Sequence, residues 1–156
     1  MSAVEDRLAA RGLTVPDVVP PVAAYTPAVR QGDWVFVSGQ LPMRHGTMPA
    51  TGKVGDGDGL VDPWLAKELA QNCALNAIAA IKSVVDLDQV VRVVKVVGFV
   101  AADPSFTEVP GVINGASELF VSAFGEAGVH ARSAIGVATL PLDSPVEVEV
   151  IVAVRD

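Results

Sequence analysis

The sequence predicts one domain in which β-strands are interleaved with two long helices, and three stretches carry that expectation. Val146 to Val154 alternates strictly, with Glu147 and Glu149 on one face and Val146, Val148 and Val150 on the other, as in a strand with one buried side. Asp62-Pro63 is a strong helix start, an N-cap aspartate followed by proline at the first helical position. Val90 to Val100 is a valine-rich run, apolar on both faces apart from Arg92 and Lys95, and reads as a central strand. At 156 residues, with no linker, repeat or low-complexity tract, the chain is long enough to bury roughly two-thirds of its unfolded surface in a single domain, 1–156.

The elements follow in order. Val4 to Arg11 forms a short helix ended by Gly12, after which Pro16, Pro20 and Pro21 force an extended path. Tyr25, the sole tyrosine, precedes Thr26–Gln31; a Gly32-Asp33 turn and the strand Trp34–Ser38 complete a β-hairpin. Gly39 closes that strand, where a missing side chain allows close approach by a ligand. Met43 to Asp62 carries most of the turn chemistry and reads as a long surface loop with at most a short strand. Within it, Asp56-Gly57-Asp58-Gly59 imitates a calcium loop, but Leu60 and Lys67 stand where acidic ligands are needed. The helix from Pro63 runs to about Val85. Leu69, Cys73, Ala77, Ile81 and Val84 form its apolar stripe, with Glu68, Asn72, Asn76 and Ser83 on the other. A second helix spans Pro110 to Gly125, with Ile113, Ala116, Phe120, Ala123 and Phe124 as its core stripe and Asn114 near its start. The strand between the helices needs helices on one face and a second cover, such as a subunit interface, on the other. Ala131–Pro141 and Val146–Val154, joined by Leu142-Asp143-Ser144-Pro145, predict a tight C-terminal hairpin.

Composition narrows the function. A net charge of −7 and a pI near 4.7 argue against nucleic acid as the partner, since such proteins show a basic patch. Mean hydropathy is high, +0.45, so part of the apolar surface is expected between subunits. The single cysteine permits no internal disulfide and no thiolate metal cluster, and two distant histidines, His45 and His130, supply neither a metal triad nor a Ser/His/Asp arrangement. The polar, acidic start is unlike a signal peptide and no apolar run reaches the ~20 residues of a membrane span, so a cytoplasmic protein with no membrane partner is expected.

Arg132 is the residue that asks for an explanation. It opens a strand that is uncharged for the next ten residues, so its guanidinium sits at the end of an apolar sheet and needs an anionic partner. One reading is a structural salt bridge to Glu147 or Glu149. In a tight hairpin, however, Glu147 lies opposite Thr139, seven residues from Arg132 and therefore over about 20 Å away. The two meet only if a second subunit brings its own copy.

The spaced motifs Tyr25, Ser38-Gly39-Gln40, Asn114, Arg132-Ser133, Leu140-Pro141 and Glu147-Val148-Glu149 resemble the RidA/YjgF family of reactive-intermediate (imine and enamine) deaminases, also known as endoribonuclease L-PSP. The resemblance covers about Val22 to Val154. It implies an α+β fold, a mixed six-stranded sheet with two helices on one face (YjgF/chorismate-mutase-like), assembled as a homotrimer with pockets between subunits. It further implies that Arg132 grips a substrate carboxylate, that Glu147 positions or activates the hydrolytic water, and that Tyr25, Ser38, Gly39 and Asn114 line the pocket. Small 2-imino and enamine acids would be hydrolysed to 2-oxo acids and ammonia with no cofactor and no metal. A non-catalytic carboxylate-binding or regulatory module is the alternative, and a ribonuclease ranks last because of the charge and the lack of a histidine pair. Three positions depart from the pattern. Ala134 stands where many members have cysteine, leaving only a backbone role there; Gly136 replaces a charged residue; and the 43–62 and 106–111 segments differ, as in a longer bacterial subgroup.

Overall fold

Side-chain caps set the starts of the first two helices. The computed structural model describes residues 1–156. Helix α1 (Ala3–Ala9) begins with a capping box, in which the Ser2 hydroxyl accepts from Glu5 N–H and the Glu5 carboxylate accepts from Ser2 N–H. That carboxylate also pairs with Lys82, and these contacts pull its pKa down to about 2. Helix α2 (Pro63–Lys82) starts as expected, with the Asp62 side chain accepting from Trp64 N–H at 2.8 Å and Pro63 at the first position. Helix α3 (Val109–Phe124) ends at Gly125, whose φ of 63° suits only glycine well.

The strands are β1 (Ala28–Gln31), β2 (Trp34–Gln40), β3 (Val90–Ala101), β4 (Ala131–Val137) and β5 (Val146–Val154), hydrogen-bonded in the order β1-β2-β5-β3-β4. All neighbours are antiparallel except β3 and β4, which run parallel on either side of the α3 crossover. Both long helices cover one face of this sheet. Beneath them Val93, Val96 and Val100 of β3 and Val146, Val148, Val150 and Val152 of β5 are buried against Leu69, Ile78, Ile113 and Phe120. The opposite face has no cover within the chain. Phe36 is 47% exposed there and Ile135 45%, while Val97 and Phe99 are half-buried.

Several expectations are corrected. The sheet has five strands, not six, and α1 makes a third helix. The C-terminal hairpin does not form. The chain does reverse at Leu142 and Asp143, both at φ 57°, but β5 returns on the far side of β3, which pairs with both strands. Helix α2 stops at Lys82, leaving Val84 beyond its end and 37% exposed. Within the polar stripe of α2, Asn72 and Asn76 are buried while Glu68 and Ser83 are exposed. Asn76 donates to Leu41 O and Met43 O, and Asn72 to Met43 O, so they supply the hydrogen bonds that the chain leaving β2 cannot find in the sheet.

Candidate active site

The residues singled out in the sequence fall into two groups on opposite faces of the sheet. The first sits at the β4 edge, on the helix side. Arg132 is in register with Val96, whose side chain is buried under the helices, and Arg132 reaches the same way. Its Nη1 donates to Asn114 Oδ1 at 2.8 Å and to Ser117 Oγ at 3.2 Å. Both acceptors are neutral. The molecule's ion pairs, Arg30–Asp156, Lys67–Glu118 and Lys82–Glu5, leave Arg132 without a carboxylate. The structural salt bridge considered for it is absent. Ala134, two residues on and half-buried, lies level with Gly98, the position over which Ile113 packs.

The second group lies on the uncovered face at the β2–β5 seam. Glu147 points there because Val146 and Val148 on either side of it are buried under the helices. Register slips between Val37 and Gln40, and the resulting bulge carries Ser38 and Gly39. A Cβ on Gly39 would overlap Glu147 Oε1, so the glycine makes room for this carboxylate rather than directly for a ligand. Burial, and secondarily the charge of Glu149, push the Glu147 carboxyl above the usual carboxylate range. Ser38 Oγ donates to Thr26 O at 2.7 Å, tying the bulge to the chain that follows Tyr25. Tyr25, 47% exposed, stands apart from Glu147: it lines a separate cleft of about 800 Å³ that runs from Gly39 and Gln40 past Met43 and Arg44 to Asn72 and Asn76 of α2 and that Glu147 does not reach.

One chain therefore does not join Arg132 to Glu147. Arg132 is level with Val96 and hence Val150, which leaves Glu147 two strands and three residues away, a backbone separation of about 14 Å rather than over 20 Å. The intervening sheet, not distance, keeps them apart. Three partners at the Arg132 site went unread in the sequence. Ser117 lies 2.9 Å from His130 Nε2, and His130 Nδ1 lies 2.6 Å from Gly128 O. Spacing did hold the signal, because Ser117 follows Asn114 by one helical turn and His130 precedes Arg132 by one strand repeat. No three His, Cys, Asp or Glu side chains converge to hold a metal ion.

Residues 5–154 match the family model described as "YjgF/chorismate mutase-like, putative endoribonuclease". The chain belongs to this YjgF family. Among YjgF relatives, protein TCP17 of Trypanosoma cruzi is 40% identical over 147 residues, 93% of this chain and 90% of that one. A 2-iminobutanoate/2-iminopropanoate deaminase of Dermatophagoides farinae is 31% identical over 148 residues, 93% of this chain and 97% of that one. A crystal structure of an Agrobacterium tumefaciens protein of unknown function superposes with a TM-score of 0.89 at 41% identity, over 98% of this chain and 93% of that one. The YjgF family resemblance stated from the sequence is thereby established, and with it the α+β fold, in the five-stranded form seen here. No helix in this YjgF chain is long and apolar enough to cross a membrane.

Proposed function

We propose that this chain is a cofactor-independent imine/enamine deaminase that converts small 2-imino acids to 2-oxo acids and ammonia, working in the cytoplasm as a homotrimer. The observation that carries the reading is the Arg132 guanidinium, fixed by two neutral oxygens while no carboxylate of its own chain pairs with it. A planar fork held that way suits a bidentate grip on a substrate carboxylate. Glu147 supplies the base. Its raised pKa makes it the stronger proton acceptor, so it takes a proton from water as the water oxygen bonds to the imine carbon. Glu147 passes that proton to the nitrogen, giving the neutral carbinolamine, and then relays the hydroxyl proton to the same nitrogen as the C–N bond breaks, the C=O bond forms and ammonia leaves, which returns Glu147 to its starting carboxylate. Because the sheet separates the two groups in one chain, Arg132 of one copy and Glu147 of a neighbour form the site. Tyr25, Ser38, Gly39 and Asn114 line it, with the Ala134 backbone, and the exposed apolar face around Phe36 and Ile135 supports such an assembly. The deaminase name of the mite relative points the same way.

The test is release of pyruvate from 2-aminoacrylate generated in situ. Wild type accelerates it, and Arg132→Ala loses about 100-fold or more, the scale of an unpaired buried charge. Equal rates for the two proteins would remove catalysis. Pyruvate binding without turnover would favour a carboxylate-binding trimer instead, a reading to which the missing cysteine at Ala134 lends weight.

A further inference from the structure

The hydrogen bonds behind Arg132 run in one direction. A backbone carbonyl only accepts, so the 2.6 Å contact between His130 Nδ1 and Gly128 O requires the proton on Nδ1. In the neutral ring Nε2 is then bare, and it accepts the Ser117 hydroxyl at 2.9 Å. With its hydrogen turned to the imidazole, Ser117 Oγ presents lone pairs to Arg132 Nη1 at 3.2 Å. Asn114 Oδ1 holds the same nitrogen at 2.8 Å. Protonating Nε2 would break this order, because the serine oxygen would face two donors, both on cations, and its own hydrogen would lose its acceptor.

The surroundings keep the ring neutral. From α3 the imidazole meets Ser117 and the edge of Phe120, with ring centroids 6.0 Å apart. The charged groups around it are Arg132; Arg92 of β3, whose Nη1 donates to Val129 O at 2.9 Å and to Glu126 O at 3.3 Å; and Glu126 itself, in the turn that supplies the Gly128 carbonyl, whose carboxylate forms no ion pair. No ion pair brings a carboxylate to the ring. Burial first, then the Arg132 charge, lower the His130 pKa against the opposing pull of the Gly128 carbonyl.

We infer that His130 is a positioning residue for Arg132, fixed as the Nδ1–H tautomer and acting through the Ser117 hydroxyl, so that the grip on a carboxylate loosens when the ring takes up a proton. This rests on the carboxylate-binding role proposed for Arg132. It adds a device that sets the pH range of the site from outside the pocket.

Two measurements on the full chain decide it. Nitrogen-15 NMR of the imidazoles at pH 7.5, with His45 as the internal comparison, is expected to show His130 protonated on Nδ1 alone; a proton on Nε2 overturns the inference. Pyruvate affinity is then followed from pH 8 to pH 5. Wild type is expected to weaken at the acid end of that range, below the ordinary imidazole value, because burial lowers the His130 pKa. Ser117→Ala should bind about tenfold more weakly at pH 7.5 and lose that pH dependence, while Ser117→Thr, which keeps a hydroxyl, restores both. A Ser117→Ala protein with the wild-type affinity and profile overturns the inference. If wild type bound no pyruvate at any pH while the Nδ1–H tautomer was found, the deaminase reading would fall and the hydrogen-bond chain would stand.

Discussion

Gly39 and Glu147 show how one residue sets the chemistry of another. The sequence marked Gly39 as a place of close approach, but what approaches is the glutamate two strand positions around the bulge. Since Glu147 Oε1 is the far end of a flexible side chain, Gly39→Ala should leave the fold intact, cost under about 1 kcal/mol in denaturant titration, and displace the carboxylate so that 2-aminoacrylate turnover falls at least about tenfold. Unaltered turnover would separate Glu147 from the reaction. The same carboxylate has a stability cost. Its folded pKa is raised above 4.5, so its contribution is full below that value and is lost as the pH rises through the raised one. Glu147→Gln, which stays neutral, is therefore expected to unfold at a higher temperature than wild type at pH 8, with the gap closing toward pH 4. Both roles were invisible in period-two alternation, which gives the face of a glutamate but not how deeply it lies or what stands beside it.

Among elements, the helices were legible and the strand pairing was not. Asp62-Pro63, the apolar spacing of α3 and the turn at Gly32 are local signals, and they placed α2, α3 and the β1–β2 hairpin within a few residues. Pairing of β4 and β5 is a long-range choice. Turn residues at 142–145 signal a reversal, yet they do not say whether the returning strand lies beside its predecessor or one strand further over, and here β3 takes the place between. Burial of Asn72 and Asn76 was hidden for a similar reason, because helical spacing separates polar from apolar stripes without revealing that loop carbonyls cover part of the polar one. The α2–α3 contact supplies a sharp test. A Cβ on Gly115 would overlap the backbone carbonyl of Lys67, which cannot swing aside as a side chain can. Gly115→Ala should therefore cost about 3 kcal/mol by thermal or denaturant unfolding, and an unchanged stability would show that the two helices are not held this close.

For the whole molecule, the decisive fact is that the two halves of the candidate site face away from each other across the sheet. If neighbouring copies complete the site, two dead variants should rescue one another. Arg132→Ala and Glu147→Gln, mixed in equal amounts under conditions that exchange subunits, should recover about a quarter of wild-type turnover, because a given seam draws its intact arginine and its intact glutamate each with a chance of one half. No recovery in mixed assemblies would place both groups in one protomer's site or remove one from the mechanism. Light scattering on the wild type gives the copy number directly.

Strand β5 joins the β1–β2 hairpin to the β3–β4 pair, and it is also the last strand in the chain. During translation neither half of the sheet can close on the other until β5 has been made, after all four of the strands it joins, so the nascent protein carries two unjoined ladders until then. Without β5 every helix would remain, but the β1–β2 hairpin and the β3–β4 pair would be left as two separate ladders with nothing to join them.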